Sequence, residues 1–160
     1  MAKFVYRMQN ILNIKQKLET QAKMTYSVAN QKYLEQQKIL QEYMVRRVGY
    51  EQHWKKLMQG NLNLQEVEHA RADVNAMKTI VRRQMVEVHK AEKELEDARN
   101  RLKTVMQERK VQEKLREKAF EEFKQELAEA ETKEIDELVS YTYNTVSYTH
   151  LRAHETLANL

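Results

Sequence analysis

No proline interrupts this chain of 160 residues, and its only glycines are Gly49 and Gly60. Proline removes a backbone donor and clashes inside a helix, and glycine there is entropically costly, so a chain with almost neither can stay helical over very long stretches. Cysteine is absent too, which excludes disulfides, thiol nucleophiles and the thiolate zinc sites of small domains. Aromatic residues make up 8% and charged residues 32%, with a mean hydropathy of −0.85, so a thick globular core is not expected. No apolar run approaches the ~20 residues of a membrane span. The start, Met1-Ala2-Lys3-Phe4, lacks the apolar stretch of a secretory signal, and a cytoplasmic protein is expected.

What the chain does have is apolar periodicity between charges. The expected fold is all-α, a long antiparallel two-helix coiled-coil hairpin over residues 1–143, with a helix over about 3–59, a turn over about 60–63 and a helix over about 64–140. In the first helix the seam steps through Phe4, Met8, Ile11, Lys15, Leu18, Ala22, Thr25, Ala29, Lys32, Gln36, Ile39, Tyr43, Arg46, Tyr50, His53 and Leu57, with repeated polar interruptions. Gly60 suits the left-handed position just past a helix end. Asn63 followed by Glu66 resembles a capping box for the second helix. That helix has the cleaner seam: Val67, Ala70, Val74, Met77, Val81, Gln84, Val88, Ala91, Leu95, Ala98, Leu102 and Val105.

Beyond Val105 the apolar residues resume at Val111, Leu115, Ala119, Phe123 and Leu127, so a slip of register near 106–112 is expected. A turn centred near residue 61 sets residue i against roughly residue 122 − i, and Phe4 against Lys118 to Phe120. The second helix, at ~110 Å, outruns the first at ~85 Å, leaving Leu127 to Leu138 as an unpaired amphipathic end. From Val146 onward charge density falls and the heptad disappears. The stretch resembles translated read-through of a sequencing adaptor. Residues 144–160 are therefore read as a disordered tail or such an artefact, without functional weight.

The net charge of +4 hides a gradient. Residues 1–60 carry 11 basic against 4 acidic side chains, residues 61–120 carry 14 against 11, and residues 121–160 carry 3 against 9. Attraction between the acidic end and the basic start is expected.

Catalysis finds little support. His53, His69, His89, His150 and His154 lie in no nucleophile, phosphate-loop or metal signature. His150 and His154 are four apart and could share a metal on one helix face, but they sit in the doubtful tail. A solvated face accounts for Glu92, Glu94, Glu96 and Asp97. No enzyme, cofactor or metal site is expected. The basic row Lys15, Lys17, Lys23, Lys32, Lys38, Arg46, Arg47, Lys55 and Lys56 raises an RNA-binding arm as an alternative. Those residues are spread around the helix with no RNA-binding motif, so nucleic acid is not the expected partner. Protein binding has better support. Ile39 and Leu40 are adjacent, as are Ile80 and Val81, and a two-stranded seam can bury only part of each pair. Trp54, Leu57 and Met58 near the turn either seal the tip or touch a partner.

The opening Phe4-Val5-Tyr6-Arg7-Met8-Gln9-Asn10-Ile11-Leu12-Asn13-Ile14-Lys15, the hairpin length and the closing Lys133-Glu134-Ile135-Asp136-Glu137 resemble the flagellar export protein FliJ family over about residues 1–143. Members of that family are antiparallel coiled coils similar to the central stalk subunit of rotary ATPases. The resemblance implies a non-catalytic part of the flagellar type III export apparatus, a stalk and chaperone escort with no membrane span. Its implied partners are the hexameric export ATPase, the export gate membrane protein and export substrate chaperones. Its implied location is the cytoplasmic membrane at the flagellar base, held peripherally. It assigns export-gate contact to Gln36, Leu40, Tyr43, Met77, Ile80 and Gln84, with Arg47 and Asp73 departing from the family pattern. It assigns ATPase-ring contact to Phe4, Met8, Ile11 and Phe123. A central stalk subunit of a rotary ion-translocating ATPase is the remaining alternative.

Overall fold

The computed structural model describes residues 2–158, the side chains of 149–151 and 153–158 excepted. Two long helices, α1 (Gln9–Met58) and α2 (Leu64–Ala158), pack against each other, with no strand among the described residues. The fold is all-α, as the periodicity requires.

The turn between them uses the expected residues with one change. Asn63 caps α2: its Oδ1 accepts the Gln65 N–H at 3.2 Å and its carbonyl accepts the Val67 N–H at 3.0 Å. Glu66 stands in the first turn of α2, and Lys55 and Lys56 stand in the last turn of α1, each with the sign that suits the helix dipole there. Gly60 has φ of +157°, an extended positive-φ conformation in place of the left-handed helical one expected. Either way only a residue without a Cβ adopts it at little cost.

Both outer ends differ from expectation. α1 begins at Gln9, six residues after Lys3, and a turn in which the Gln9 N–H meets the Tyr6 carbonyl at 3.1 Å leads into it. Phe4 and Tyr6 both reach α2 from the non-helical stretch, and residues two apart on a helix could not share a face. α2 continues past residue 140, so the tail read as disordered is helical to Ala158. After Gly60 the chain holds no proline or glycine to end it.

The chain divides into two compact units, Asn13–Arg109, and Met1–Leu12 with Lys110–Leu160. In the first of these α1 and α2 run antiparallel. Lys15 Nζ meets Glu108 Oε2 at 2.7 Å, Lys32 Nζ meets Glu94 Oε2 at 3.1 Å, and Gln84 Nε2 donates to the Gln36 carbonyl at 2.9 Å and to Gln36 Oε1 at 2.7 Å. The core is the α2 stripe of Ala70, Val74, Met77, Val81, Ala91, Leu95, Ala98 and Val105, with Ala22 and Glu19 the buried residues of α1 in this unit. This register sets Tyr26, Tyr33 and Trp54 of α1 at the level of Ala98, Ala91 and Ala70, so large rings face small partners. Val81 is 1% exposed, and burying such a side chain is worth roughly 1.5–3 kcal/mol.

The α2 seam lies where its sequence placed it, and the α1 seam is in a different phase. Lys15, Ala22, Ala29, Gln36, Tyr43 and Leu57 face inward as expected, but the alternate positions fall one residue later. Leu12, Glu19, Tyr26, Tyr33, Leu40, Arg47 and Trp54 take the places expected for Ile11, Leu18, Thr25, Lys32, Ile39, Arg46 and His53, with Leu18 and Ile39 half-buried on the flank. The shifted phase buries two tyrosines and a tryptophan instead of threonine, lysine and histidine, and so removes more apolar area from water.

Nor does the burial pattern of α2 slip near residues 106–112. Arg109, Gln112, Ala119 and Phe123 stay half-buried in the same heptad, while Val111 at 55% and Leu115 at 44% are exposed. Polar residues hold these seam positions because each is paired. Arg109 makes an ion pair with Glu19, which lies 7% exposed, and Gln112 accepts from Tyr6.

Removing one half of that ion pair strands a charge away from water. Glu19→Ala is expected to lower unfolding free energy by about 3 kcal/mol, and Glu19→Leu with Arg109→Leu to recover most of it. Urea unfolding followed by circular dichroism checks both, and equal losses in single and double variants would contradict the account.

Candidate partner-binding surfaces

In the unit formed by Met1–Leu12 and Lys110–Leu160, three rings cluster. Phe4 meets Phe120 edge-on with centroids 5.1 Å apart, and its ring is 5.5 Å from that of Phe123. Tyr6 Oη donates to Gln112 Oε1 at 3.2 Å, and Arg116 Nε donates to Gln9 Oε1 at 3.1 Å. Lys124 Nζ sits 4.6 Å over the Phe120 ring. Phe4, Met8 and Phe123 line an open groove of 580 Å³ together with Val5, Leu115, Lys118 and Glu122. Three of the four ATPase-ring candidates are thus brought together. The fourth, Ile11, is 41% exposed and does not line the groove. Sequence reasoning missed Val5 and Leu115, because Val5 precedes α1 and Leu115 belonged to the slipped register that does not occur. From Lys124 to Tyr148 every described side chain of α2 is exposed.

In the other unit the export-gate candidates also converge, but not as one exposed patch. Met77 and Gln84 are buried in the seam, at 7% and 8% exposure, with Gln84 tied to Gln36. They occupy heptad positions that face the partner helix, so little of either remains to offer. Gln36, Leu40, Tyr43 and Ile80 are half-buried. Tyr43, Ile80 and the edge of Gln84 line a shallow hollow with Arg83, Val86 and Glu87, and the Arg46 guanidinium carbon lies 5.9 Å from the Tyr43 ring centroid. Arg83, Val86 and Glu87 carried no signal in the seam pattern, being on the outward side of α2. Val81 takes the core and Ile80 the flank, which resolves that adjacent pair. At the tip Trp54 and Leu57 are half-buried, and Met58, Leu62 and Leu64 are exposed.

The basic row of α1 does not form a free stripe. Lys15, Lys23, Lys32 and Arg47 each meet a carboxylate: Glu108, Glu19, Glu94 and Glu51. Among the described residues no three of His, Asp and Glu converge as a metal site would require, and the side chains of His150 and His154 lie outside those residues. Among the described residues no helix is long and apolar enough to cross a membrane.

Two long helices packed against each other define an all-α coiled-coil hairpin protein. The Flagellar FliJ protein family matches residues 4–146, and the chain belongs to that family, a non-catalytic component of flagellar type III export. Neither a curated protein nor a solved structure matches the chain.

Phe4 anchors the non-helical start, so its truncation should act locally. Phe4→Ala is expected to raise amide exchange over residues 5–12 by about tenfold, the equivalent of losing an aromatic pair worth ~1.4 kcal/mol. Protection around Val81 should be unchanged. Uniform loss of protection in both regions would refute the local anchoring.

Proposed function

We propose that the chain is a stalk that couples the hexameric flagellar export ATPase to the export gate membrane protein at the cytoplasmic membrane, and that it escorts export chaperones. The observation that carries the reading is the presence of two separate partner-grade surfaces on a site-free scaffold. One is the Phe4, Met8 and Phe123 groove, which supports contact with the ATPase ring. The other is the hollow beside Tyr43 and Ile80, which supports contact with the gate. α2 is a continuous helix that contributes to both surfaces, while the residues before α1 complete the groove and Tyr43 of α1 completes the hollow. Interlocked side chains along a heptad seam resist bending and twisting, which is what a coupling element needs. Leu40 joins the second surface, whereas Met77 and Gln84 act in the reading as the interior that holds it.

The test separates the two surfaces. Tyr43→Asp with Ile80→Asp is expected to weaken binding to the purified cytoplasmic domain of the export gate by at least about tenfold, ~1.4 kcal/mol, and to leave ATPase binding unchanged. Phe4→Ala with Met8→Asp is expected to do the reverse. Calorimetry with each partner reads the affinities. Wild-type chain that binds neither partner, yet binds nonspecific RNA with a steep salt dependence, would overturn the reading in favour of the RNA arm.

A further inference from the structure

Gly49 is the one glycine inside a helix of this chain, and nothing in the fold asks for it. Among the described residues only Gly60 has positive φ, so Gly49 holds an ordinary helical conformation that any residue adopts. A Cβ placed on it meets no atom within 4 Å, so no neighbour lies close enough to exclude a side chain. Glycine in a helix interior is disfavoured against alanine by a factor of roughly two to five. The cost falls at a position where the chain alone gains nothing from it.

The open space over Gly49 is walled. Arg46, Gly49, Tyr50 and His53 line a hollow of 440 Å³. Spacings of three, four and seven residues set the last three on the same face of α1 as Arg46. Tyr50 is 40% exposed, although Tyr43 and Leu57, one heptad to either side, are half-buried. The three wall side chains all carry hydrogen-bond donors: a guanidinium, a phenol and an imidazole. Among the described residues neither Arg46 nor His53 meets a carboxylate, and Asp73, which the antiparallel register sets level with Arg46, pairs with neither. Arg46 also ties this hollow to the one beside Tyr43 and Ile80, because its guanidinium carbon lies 5.9 Å from the Tyr43 ring centroid. Both hollows lie in the Asn13–Arg109 unit.

We infer that the partner seated on the Tyr43 hollow lays a stretch of its main chain across α1 at Gly49, its carbonyls received by Arg46, Tyr50 and His53, an assignment that rests on the reading of the Tyr43 hollow as the export-gate contact. A floor without a Cβ lets a backbone come closer to the helix axis than any other residue allows. Donors on the walls suit a backbone with free carbonyls. The gate is favoured over a separate occupant because Arg46 borders both hollows, so a partner that covers Tyr43 already reaches the edge of the second.

Calorimetry with the purified cytoplasmic domain of the export gate, beside urea unfolding of the full chain, tests this. Gly49→Ala is expected to raise the unfolding midpoint and yet to weaken gate binding about threefold. Gly49→Leu, its folding checked by helical circular dichroism, should weaken gate binding at least about tenfold. Both variants should bind the ATPase as wild type does. Unchanged gate affinity in Gly49→Leu, while Tyr43→Asp with Ile80→Asp loses it, would overturn the inference and leave the gate reading standing. Wild-type chain without gate affinity would overturn both. Lower stability in Gly49→Ala would mean that the fold itself requires the glycine. A wild-type mass above 19.2 kDa that Gly49→Leu returns to monomer would seat a second copy in the hollow, and either result overturns the inference.

Discussion

Pairing of polar side chains inside the heptad seam is the constraint on which the rest of this structure depends. An isolated helix is marginal in water, and most of its stability comes from packing an amphipathic face. In this chain that face is repeatedly interrupted by Lys15, Glu19, Gln36, Gln84, Arg109 and Gln112. A charge or amide left unpaired there would cost more than a neighbouring aliphatic contact returns. Lys15, Glu19, Gln36, Gln84 and Arg109 each have a partner on the opposite helix and Gln112 has Tyr6 of the non-helical start, so the interruptions act as register marks. Sliding α1 along α2 by one heptad would separate Glu19 from Arg109 and Gln36 from Gln84 together. An all-aliphatic seam would tolerate that slide far better.

The seam also decides which residues remain for partners. In the Asn13–Arg109 unit Tyr26, Tyr33 and Trp54 of α1 lie half-buried at seam positions, which leaves part of their aromatic surface covered. In the other unit the non-helical start turns Phe4 and Tyr6 together onto α2, and a groove opens beside them. The chain thus presents shallow apolar patches rimmed by charge, the kind of surface that docks other proteins. Membership of the FliJ family fits such a scaffold.

Legibility differed between the two helices for a physical reason. α2 announces its seam because eleven of twelve inward positions up to Val105 are apolar, and the structure uses them all. In α1, two phases share every other position, and neighbours such as Ile11 and Leu12 or Ile39 and Leu40 satisfy both. Only the partner's shape chooses between them. For the export-gate candidates Met77 and Gln84 the conflict was of another kind, since the resemblance implied a partner surface while the α2 period set them in the seam. Packing put them inside. Phe4 and Phe123 do meet, because they are bulky rings at the two chain regions a hairpin brings level.

By itself the sequence determined that the chain is helical, that it turns at Gly60 and Asn63, and which face of α2 is buried. Those properties follow from local chemistry: backbone donors without proline, a residue without a Cβ, a capping side chain and an apolar period. The tertiary structure decided the phase of α1, the unbroken heptad through Arg109 and Gln112, and the non-helical course of residues 2–6. Each of these depends on a partner far away in the chain, and a residue's preference for burial cannot be known until the shape and charge opposite it are in place.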